Sequence, residues 1–550
     1  MALLDKMQTA DRMRPDVDGL RGRYRRAVAR RQNWQRHWQE CYEFALPQRG
    51  EGASGGSVSG ASGASGGGQE GNRRFDRVFD ATAPDAVEQL AASLLAEITP
   101  PGGGWFDLEC GAAVPENDRA VLADSLAQAV RIIDGHFERS NFSVEIHQAF
   151  LDLVTVGTAC LRLEESPFGT ASALRFASIP VRELAFEERA DGALDAVFRK
   201  LHLGLGDIRA RWPDAPLPDG ASGAGNGAGA NGGDAATRKW SLIEAVLPVA
   251  SGTGGMDGAG GYDLAVFYED GGAAGGDGLI AVDRFAVSPY IAFRWLKAPG
   301  EIYGRSPVMK ALPDIKTANK VVELILKNAS IAVTGIWQAD DDGILNPATV
   351  RLVPGSIIPK AVGSAGLKPL DAPGRFDVSD LVLQDLRDRI RRCLLADRLT
   401  PMEAPRMTAT EVLERAAENS RLLGATYGRL QAELLFPLMR RAVHILTRRG
   451  VLPEIPLEGD VVRLRHAAPM AQLPRRVQAA QTLDWLIRLG GLGPDAMARI
   501  DLDRTVGWLA EQFGVPEHLL RPVMPEMPDI AIADIVTELA GMVELGGGAS

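Results

Sequence analysis

The longest helical pattern in the chain is the feature that most restricts its fold. From Thr408 to Gly450, apolar residues recur at helical spacing over roughly 40 residues, or about 60 Å at 1.5 Å per residue. Thr408 and Glu411 form a capping-box pattern at its start, and Pro437 predicts a kink. Few soluble domains need a helix of this length, so any fold proposed for the chain must accommodate it.

A second helix is predicted ahead of this one, from Asp314 to Val333. Its apolar seam repeats at alternating spacings of three and four and consists of Ile315, Ala318, Val322, Ile325 and Ala329. The opposite side carries Lys316, Lys320, Glu323 and Lys327. The turn-rich residues from Tyr303 to Pro313 are expected to precede the helix rather than belong to it.

Three shorter segments separate these two helices. Residues 334–375 predict a small β-rich insertion, because short strand-like pieces alternate with Pro and Gly. Phe376 to Leu395 is predicted to be helical, and Ala396 to Met407 to be a loop. The order is therefore helix, β insertion, helix, loop and long helix.

Basic and aromatic residues alternate near the N-terminus. Leu20 to Ala45 predicts an amphipathic helix that contains Trp34, Trp38 and several arginines. Such a helix could stack on bases or bind a membrane surface. We favour the alternative in which the Trp side chains enter a core and the arginines face solvent or a neighbouring chain.

The rest of the N-terminal half predicts helices followed by an α+β region that closes near Trp295. Helices are expected around Val87 to Leu95 and from Asp118 to Glu138. The segment from Ser143 begins helical and becomes strand-like at the β-branched Val154, Thr155 and Val156. Further strands are predicted at Leu174 to Ile179, Ala196 to Leu203 and Trp240 to Pro248.

Glycine-rich and proline-rich stretches interrupt both halves. The Gly-rich residues 50–68, 220–233 and 254–278 predict flexible surface loops, the last with a short break at Tyr262 to Asp270. Beyond the long helix, short helices are predicted at Val477 to Leu489, Pro494 to Ile500, Leu502 to Phe513 and Asp529 to Leu545. The last residues, 546–550, predict a loose tail.

Composition excludes several classes of protein. The net charge of -11 argues against a surface that grips nucleic acid everywhere, although local basic patches remain compatible with it. The four cysteines lie far apart without a metal-ligand spacing, which favours a reducing compartment. The first residues lack a signal-peptide core, and no charge-free run is long enough to span a membrane.

No motif in the chain predicts catalysis, a metal or a cofactor. The chain has no GxxxxGK[ST] phosphate loop and no HExxH, and its seven histidines are scattered. The GxSxG matches at Ser54 and Ser65 fall inside Gly/Ser repeats, and the Asp340 to Gly343 segment lacks the glutamate that closes a calcium loop. We therefore expect a protein that is not an enzyme. A hydrolase with an unfamiliar site remains the rival from another class.

Three ordered segments resemble the head-to-tail connecting protein family of T7-like short-tailed bacteriophages, the portal proteins. The first is Phe79-Asp80-Ala-Thr82 with Leu90 to Leu94, Thr99 to Pro101 and Trp105-Phe106. The second is Tyr303-Gly-Arg305-Ser-Pro307 with Ala311 to Thr317 and Asn319. The third is Met407 to Glu411 with Gln431 to Pro437 and Ile455-Pro456. The resemblance extends over about Arg21 to Pro456.

The resemblance implies an α+β portal fold whose parts follow the predicted elements. These parts are a wing (1–300), stem helix 1 (301–333), a clip (334–375), stem helix 2 (376–395), a tunnel loop (396–407), a long kinked helix (408–456), crown helices (457–545) and a flexible tail (546–550).

The resemblance also implies a function and a set of partners. Portal subunits form a dodecameric ring at one capsid vertex, through which double-stranded DNA is packaged and ejected. The implied protein partners are the major capsid protein, the scaffolding protein, the large terminase and the tail adaptor, with no membrane. The expected location is the portal vertex of the virion, and the host cytoplasm during assembly. A capsid or tail component that forms no channel is the alternative.

Charged side chains near the ring axis are the expected functional residues, because a closed ring repeats each of them around the bore. The candidates are Arg398, Glu403 and Arg406 in the tunnel loop, and Lys316, Lys320 and Lys327 in the first stem helix. A bore must guide a polyanion without holding it, so an acidic chain with a few basic rings suits this task. The alternative role for all six is salt bridging between subunits.

Overall fold

A computed structural model describes the chain in two compact units. Unit 1 contains residues 1–406 and 421–469, and unit 2 contains residues 407–420 and 470–550. The described residues are 15–49, 77–102, 104–114, 116–190, 192–218, 239–249, 261–270, 277–334, 337–339, 367–369, 376–396, 424, 426–453, 455, 457, 461–467, 469–490 and 500–513. Two of the predicted Gly-rich loops, 50–68 and 220–233, lie outside them.

Helices and strands both contribute to the architecture, which confirms the mixed helix and sheet content. The α-helices are α1 (Val17–Ala45), α2 (Thr82–Ile98), α3 (Glu116–Glu138), α4 (Phe142–Val156), α5 (Leu205–Arg211), α6 (Pro307–Thr334), α7 (Phe376–Cys393), α8 (Phe436–Arg448), α9 (Pro469–Gly490) and α10 (Leu502–Phe513). The strands are β1 (Phe106–Cys110), β2 (Thr158–Glu165), β3 (Leu174–Ser178), β4 (Leu184–Glu187), β5 (Ala196–Gly204), β6 (Lys239–Pro248), β7 (Tyr262–Tyr268), β8 (Leu279–Phe285), β9 (Tyr290–Arg294), β10 (Trp337–Ala339), β11 (Leu367–Pro369) and β12 (Val462–His466).

Antiparallel sheets form the framework of unit 1. The largest has five strands in the order β4-β5-β6-β7-β8, and a second has three in the order β3-β2-β9. Two further pairs join β1 to β12 and β10 to β11. The predicted strands around Leu174, Ala196 and Trp240 are confirmed as β3, β5 and β6. The Tyr262 to Asp270 segment, which interrupts the third Gly-rich stretch, contains β7.

Helix α1 packs one face against the five-stranded sheet. Val17, Leu20 and Tyr24 join Phe198 and Phe267 in one buried cluster. This contact confirms the predicted amphipathic helix, since its apolar face covers the sheet. The hydrophobic effect of removing both faces from water is the main force that holds them together.

Aromatic and arginine side chains of α1 are buried together, which corrects part of the prediction. Trp38 is buried, and its ring centroid lies 4.9 Å from that of Tyr303. Arg21 and Arg31 are also buried instead of facing solvent or a neighbouring chain. Their guanidinium groups donate hydrogen bonds to backbone carbonyls, including that of Tyr268, so this burial leaves few donors unsatisfied.

The β-branched residues predicted to open a strand belong to the last turn of α4. Val154, Thr155 and Val156 are helical and buried, and the Thr155 hydroxyl donates to the Leu151 carbonyl at 2.7 Å. The helix ends at Gly157, whose φ of 78° is a left-handed conformation that glycine adopts without strain. Packing in the core thus overrides local strand propensity, and β2 starts at Thr158.

The first predicted stem helix starts earlier than its apolar seam. Helix α6 begins at Pro307, where the fixed φ of proline suits the first helical position. The Ser306 hydroxyl accepts the Met309 amide at 2.9 Å and caps the helix. Pro313 lies inside α6 without ending it.

The long helix is described from Thr426 onward and is interrupted by a π-helical turn. This turn spans Gln431–Leu435 and passes directly into α8, whose second residue is Pro437. The turn lies just before Pro437, where the sequence predicts a kink. A π-turn is one of the recognised causes of helix irregularity. The capping-box residues Thr408 and Glu411 lie outside the described residues.

The segment before the predicted short helices of the C-terminal part contains a strand that the sequence analysis does not predict. Val462–His466 forms β12 and pairs with β1, so that Leu464 lies opposite Leu108. The helices predicted at Val477 to Leu489 and Leu502 to Phe513 are confirmed within α9 and α10 of unit 2. The helices predicted at Pro494 to Ile500 and Asp529 to Leu545 fall on residues that the structure mostly leaves undescribed.

Candidate functional site

The two predicted stem helices pack against each other at the end nearest the wing. Ile315 and Ala318 of α6 are buried, as are Leu386 and Ile390 of α7. Ile315 and Ala318 belong to the apolar seam predicted for the first of these helices. Farther along, the helices lead to the short pair β10-β11, which confirms strands within residues 334–375.

Hydrogen bonds tie both helices to the segment before α2. The Asn319 side-chain oxygen accepts the backbone amides of Phe79 and Asp80 at 2.6 and 3.2 Å. Arg387 donates to the Asp80 carboxylate at 2.8 Å. Although burial raises the pKa of Asp80, hydrogen bonds from Thr82 and Arg387 bring it below its usual value. The first two sequence segments shared with the connector family therefore meet here.

Backbone packing brings the start of α6 onto the end of α4. A Cβ atom at Gly304 would lie 2.1 Å from the Gly157 carbonyl oxygen, so side chains are excluded at this crossing. The Gly304 amide donates to the Thr158 hydroxyl at 2.8 Å, and the Ser306 hydroxyl donates to the Thr155 carbonyl at the same distance. The Tyr303 to Pro307 segment is thus a structural joint between the end of α4 and the start of α6, the first predicted stem helix.

A buried arginine holds the π-turn of the long helix. The Arg294 side chain, 2% exposed, donates to the Glu433 carboxylate at 2.7 Å, and its backbone amide donates to the same carboxylate at 2.9 Å. Its remaining donors reach Glu188 and the carbonyls of Ile302 and Gly192. Sequence reasoning missed this residue, because Arg294 and Glu433 are far apart in the chain.

The three stem lysines have acidic partners within the same chain. Lys316 contacts Glu40 of α1 at 2.6 Å. Lys320 and Lys327 flank Glu323 at 3.0 and 2.6 Å, and hydrogen bonds from Lys327 and Lys320 lower the Glu323 pKa. Lys320 and Lys327 are exposed, whereas Lys316 is partly covered by α1. The structure brings the second and third lysines together on one surface of α6.

The remaining predicted site residues, Arg398, Glu403 and Arg406, lie outside the described residues. No group of three or more His, Cys, Asp or Glu side chains that could hold a metal ion is found within the described part of the chain. Among the same residues, no helix is long and apolar enough to cross a membrane.

Apolar side chains lie exposed on the far halves of the two stem helices. Leu381 of α7 is 72% exposed, and Val382 beside it is 46% exposed. Leu324 and Leu326 of α6 are about half exposed, at 49% and 52%. We name these four residues the stem apolar surface; Leu324 and Leu326, two residues apart in the helix, lie on different sides of α6. A single subunit leaves this surface in contact with water, which is unfavourable for large aliphatic side chains.

One known protein family matches most of the chain. The chain matches the model of the bacteriophage head to tail connecting protein family over residues 17–520, and it belongs to this family. The match confirms the resemblance predicted from the three sequence segments.

Several curated portal proteins are similar to the chain. The probable portal protein of Bordetella phage BPP-1 is 24% identical over 519 residues, which cover 92% of this chain and 88% of that protein. The portal protein of Salmonella phage epsilon15 is 25% identical, with 90% and 86% covered. The portal protein of Escherichia phage T7 is 27% identical over 172 residues, 31% of this chain and 32% of that protein.

Proposed function

We propose that the chain is a portal subunit that assembles into a closed, dodecameric ring at one capsid vertex. The ring conducts double-stranded DNA during packaging and ejection. It also provides the surface on which the large terminase docks first and the tail adaptor later. The portal names of the relatives support this role, and the stem apolar surface is the observation of this chain that carries it.

The stem apolar surface supports the ring because each subunit of a ring has a neighbour on either side, and these two neighbours would cover it. Exposed Leu and Val side chains on two adjacent helices form a contact surface that repeats at each rotation of a closed ring. The exposed Lys320 and Lys327 lie on the same helix as Leu324 and Leu326. We therefore assign the far half of the stem both to subunit contact and to the lining of the bore.

The remaining assignments follow from the ring. Arg398, Glu403 and Arg406 of the tunnel loop form girdles of charge around moving DNA, and residues 334–375 form the clip that meets terminase and adaptor. The major capsid protein and the scaffolding protein surround the wing during assembly in the host cytoplasm, and the ring stays at the portal vertex of the virion. The role is structural, and the energy for packaging comes from the partner motor.

Substitution at the most exposed residue of the stem apolar surface tests the assembly. In Leu381→Glu, an unpaired charge lies between subunits, so we expect folded protein that fails to form rings. Val144→Glu is the matched control, because Val144 is a 62% exposed residue of wing helix α4. Electron microscopy of purified full-length protein counts subunits and shows whether the ring has a central hole. Rings of normal size from Leu381→Glu, or wild-type particles without a hole, would contradict the proposal.

Shortening the tunnel loop tests its contact with DNA. Deletion of residues 397–406, with a short Gly/Ser replacement, should leave ring formation intact and reduce the yield of packaged genomes. A replacement of equal length that keeps Arg398, Glu403 and Arg406 is the control. Unchanged genome yield after the deletion would refute the role of the loop while leaving the ring in place.

A further inference from the structure

A cavity of about 730 Å³ in unit 1 has an unusual concentration of arginine in its walls. Strands β2, β3 and β5, the end of α5 and helix α8 all contribute to it. We name it the arginine pocket. Its six arginines are Arg162, Arg175, Arg199, Arg211, Arg441 and Arg448. The volume lies within the range of about 300–1,000 Å³ that is typical of binding sites for small molecules or short segments.

Arg441 is the least satisfied of these side chains. It is 5% exposed, yet within the described residues its guanidinium donates to one acceptor, the Val287 carbonyl at 2.9 Å. Its Nε has no hydrogen-bond partner there. Burial lowers the pKa of Arg441 to about 10, and the nearby charge of Arg162 acts in the same direction, whereas Glu164 and Asp283 oppose it. Its guanidinium carbon lies 5.1 Å from the ring centroid of Phe285, but among the described residues no carboxylate forms an ion pair with it.

Neighbouring arginines add to the positive charge of the pocket. Arg162 is 7% exposed and pairs with Glu244 at 2.8 Å and Glu164 at 2.7 Å, but its Nε has no partner. Arg175 is exposed and forms no ion pair with a described residue, while Arg211 lies 3.8 Å from Glu164. Arg199 pairs with Glu183 and Arg448 with Glu165, so Arg441, Arg175 and Arg162 are the cations that an entering anion meets.

The shape of the cavity selects among anions. A sphere of this volume is about 11 Å across, whereas a DNA duplex is wider than its own roughly 12 Å major groove, so a duplex does not fit inside the cavity. Glu145, Glu164 and Glu165 also line the wall. A single-stranded nucleic acid carries a phosphate at every nucleotide, so some of its negative charges would lie beside these glutamates. A protein segment can instead place carboxylates opposite the arginines and neutral residues opposite the glutamates.

We propose that the arginine pocket binds an acidic segment of a partner protein, whose carboxylates pair with Arg441, Arg162 and Arg175. The planar guanidinium groups suit such pairing, because each can present two parallel donors to one carboxylate. This binding is separate from DNA traffic through the ring, and it gives the wing a recognition site of its own.

Fluorescence anisotropy with a labelled octapeptide of alternating Glu and Gly tests the proposal on the full-length protein. The same peptide with Gln in place of Glu is the neutral probe, and oligothymidylate of similar length and inorganic phosphate are competitors. We expect the Glu peptide to bind, the Gln peptide not to bind, and Arg441→Met to weaken binding about tenfold or more, since one charge-assisted contact is lost.

Arg175→Gln provides a second variant in case Arg441→Met fails to fold, because Arg175 is exposed. Arg209→Gln is its matched control, since Arg209 is an exposed arginine of α5 that does not line the cavity. Weaker binding by Arg175→Gln alone supports the proposal. Equal binding by wild type and Arg175→Gln, or no preference for the Glu peptide, overturns it. Tighter binding of oligothymidylate, or phosphate binding without peptide binding, overturns the choice of a protein segment.

Discussion

The charged residues of this connector subunit are paired differently around the buried Arg294 and on the exposed far half of α6. In the wing, Arg294 is buried and nearly every donor of its guanidinium meets a carboxylate or carbonyl. On the far half of α6, Lys320 and Lys327 pair with Glu323 at the surface, beside exposed leucines. Arg294 is thus satisfied within one chain, whereas the exposed leucines on the far half of α6 present an apolar surface that another copy of the chain can cover.

Removing the buried charge of Arg294 should produce the largest loss of stability. Arg294→Met leaves the partly buried Glu433 with Arg429 as its remaining cation, and we expect the free energy of unfolding to fall by about 3 kcal/mol. Urea denaturation measures the loss. Arg305→Met is the control, because Arg305 pairs with Glu301 on the surface. Equal effects of the two substitutions would remove the contrast between buried and exposed arginines.

Acid introduces a charge at the buried His466 of β12. Its Nε2 lies 2.9 Å from the Ile98 carbonyl and its Nδ1 contacts the Tyr427 hydroxyl. Burial lowers the pKa of His466 to about 4 from 6.5, and the hydrogen bond to Ile98 opposes this shift. Between these two values the unfolded chain binds more protons than the folded chain, so stability falls as the pH is lowered.

The expected loss from His466 is up to about 3 kcal/mol on going from neutral pH to pH ~4, and it is absent above pH ~7. His466→Gln keeps hydrogen-bonding groups without this titration and should flatten the dependence of stability on pH. The exposed His202→Gln serves as the control. Identical pH profiles for wild type and His466→Gln would show that this buried histidine does not couple to folding.

Packing at the joint between wing and stem should tolerate no side chain. In Gly304→Ala the new methyl group meets the Gly157 carbonyl, and we expect a loss of about 1–3 kcal/mol, typical of overpacking. Gly206→Ala in α5 is the matched control, since no atom lies within 4 Å of its Cβ position. Thermal unfolding compares the two. A neutral Gly304→Ala would mean that the two backbones can move apart at no cost.

Local patterns in the sequence were sufficient to predict most of the described helices and strands. The apolar seam of α1 and the spacing of α10 are visible over a few turns, and both helices formed where the sequence predicts them. The start of α6 was wrong by several residues because the cap at Ser306 depends on contacts with Thr155. The helical end of α4 was wrong because core packing outweighs the strand propensity of Val154 to Val156.

Contacts between distant residues could not be predicted in this way. β12 forms only by pairing with β1, whose partner residues are more than 350 positions away in the chain, from Phe106 to His466. Arg294 and Arg441 likewise acquire their roles from elements that no local pattern connects. By contrast, the Lys320–Glu323–Lys327 cluster follows from helical spacing alone, since residues three and four apart lie on one face.

The smallest effect on folding is expected from the exposed lysines themselves. The double variant Lys320→Gln/Lys327→Gln removes two solvent-exposed pairs, and its thermal midpoint should match that of wild type within experimental error. If these lysines face the bore, DNA retention in filled particles should nevertheless become less sensitive to salt, because fewer phosphates are neutralised. Lys310→Gln, at an exposed position near the start of the same helix, controls for loss of charge. A double variant that is destabilised but retains DNA normally would instead assign the lysines to the integrity of the stem.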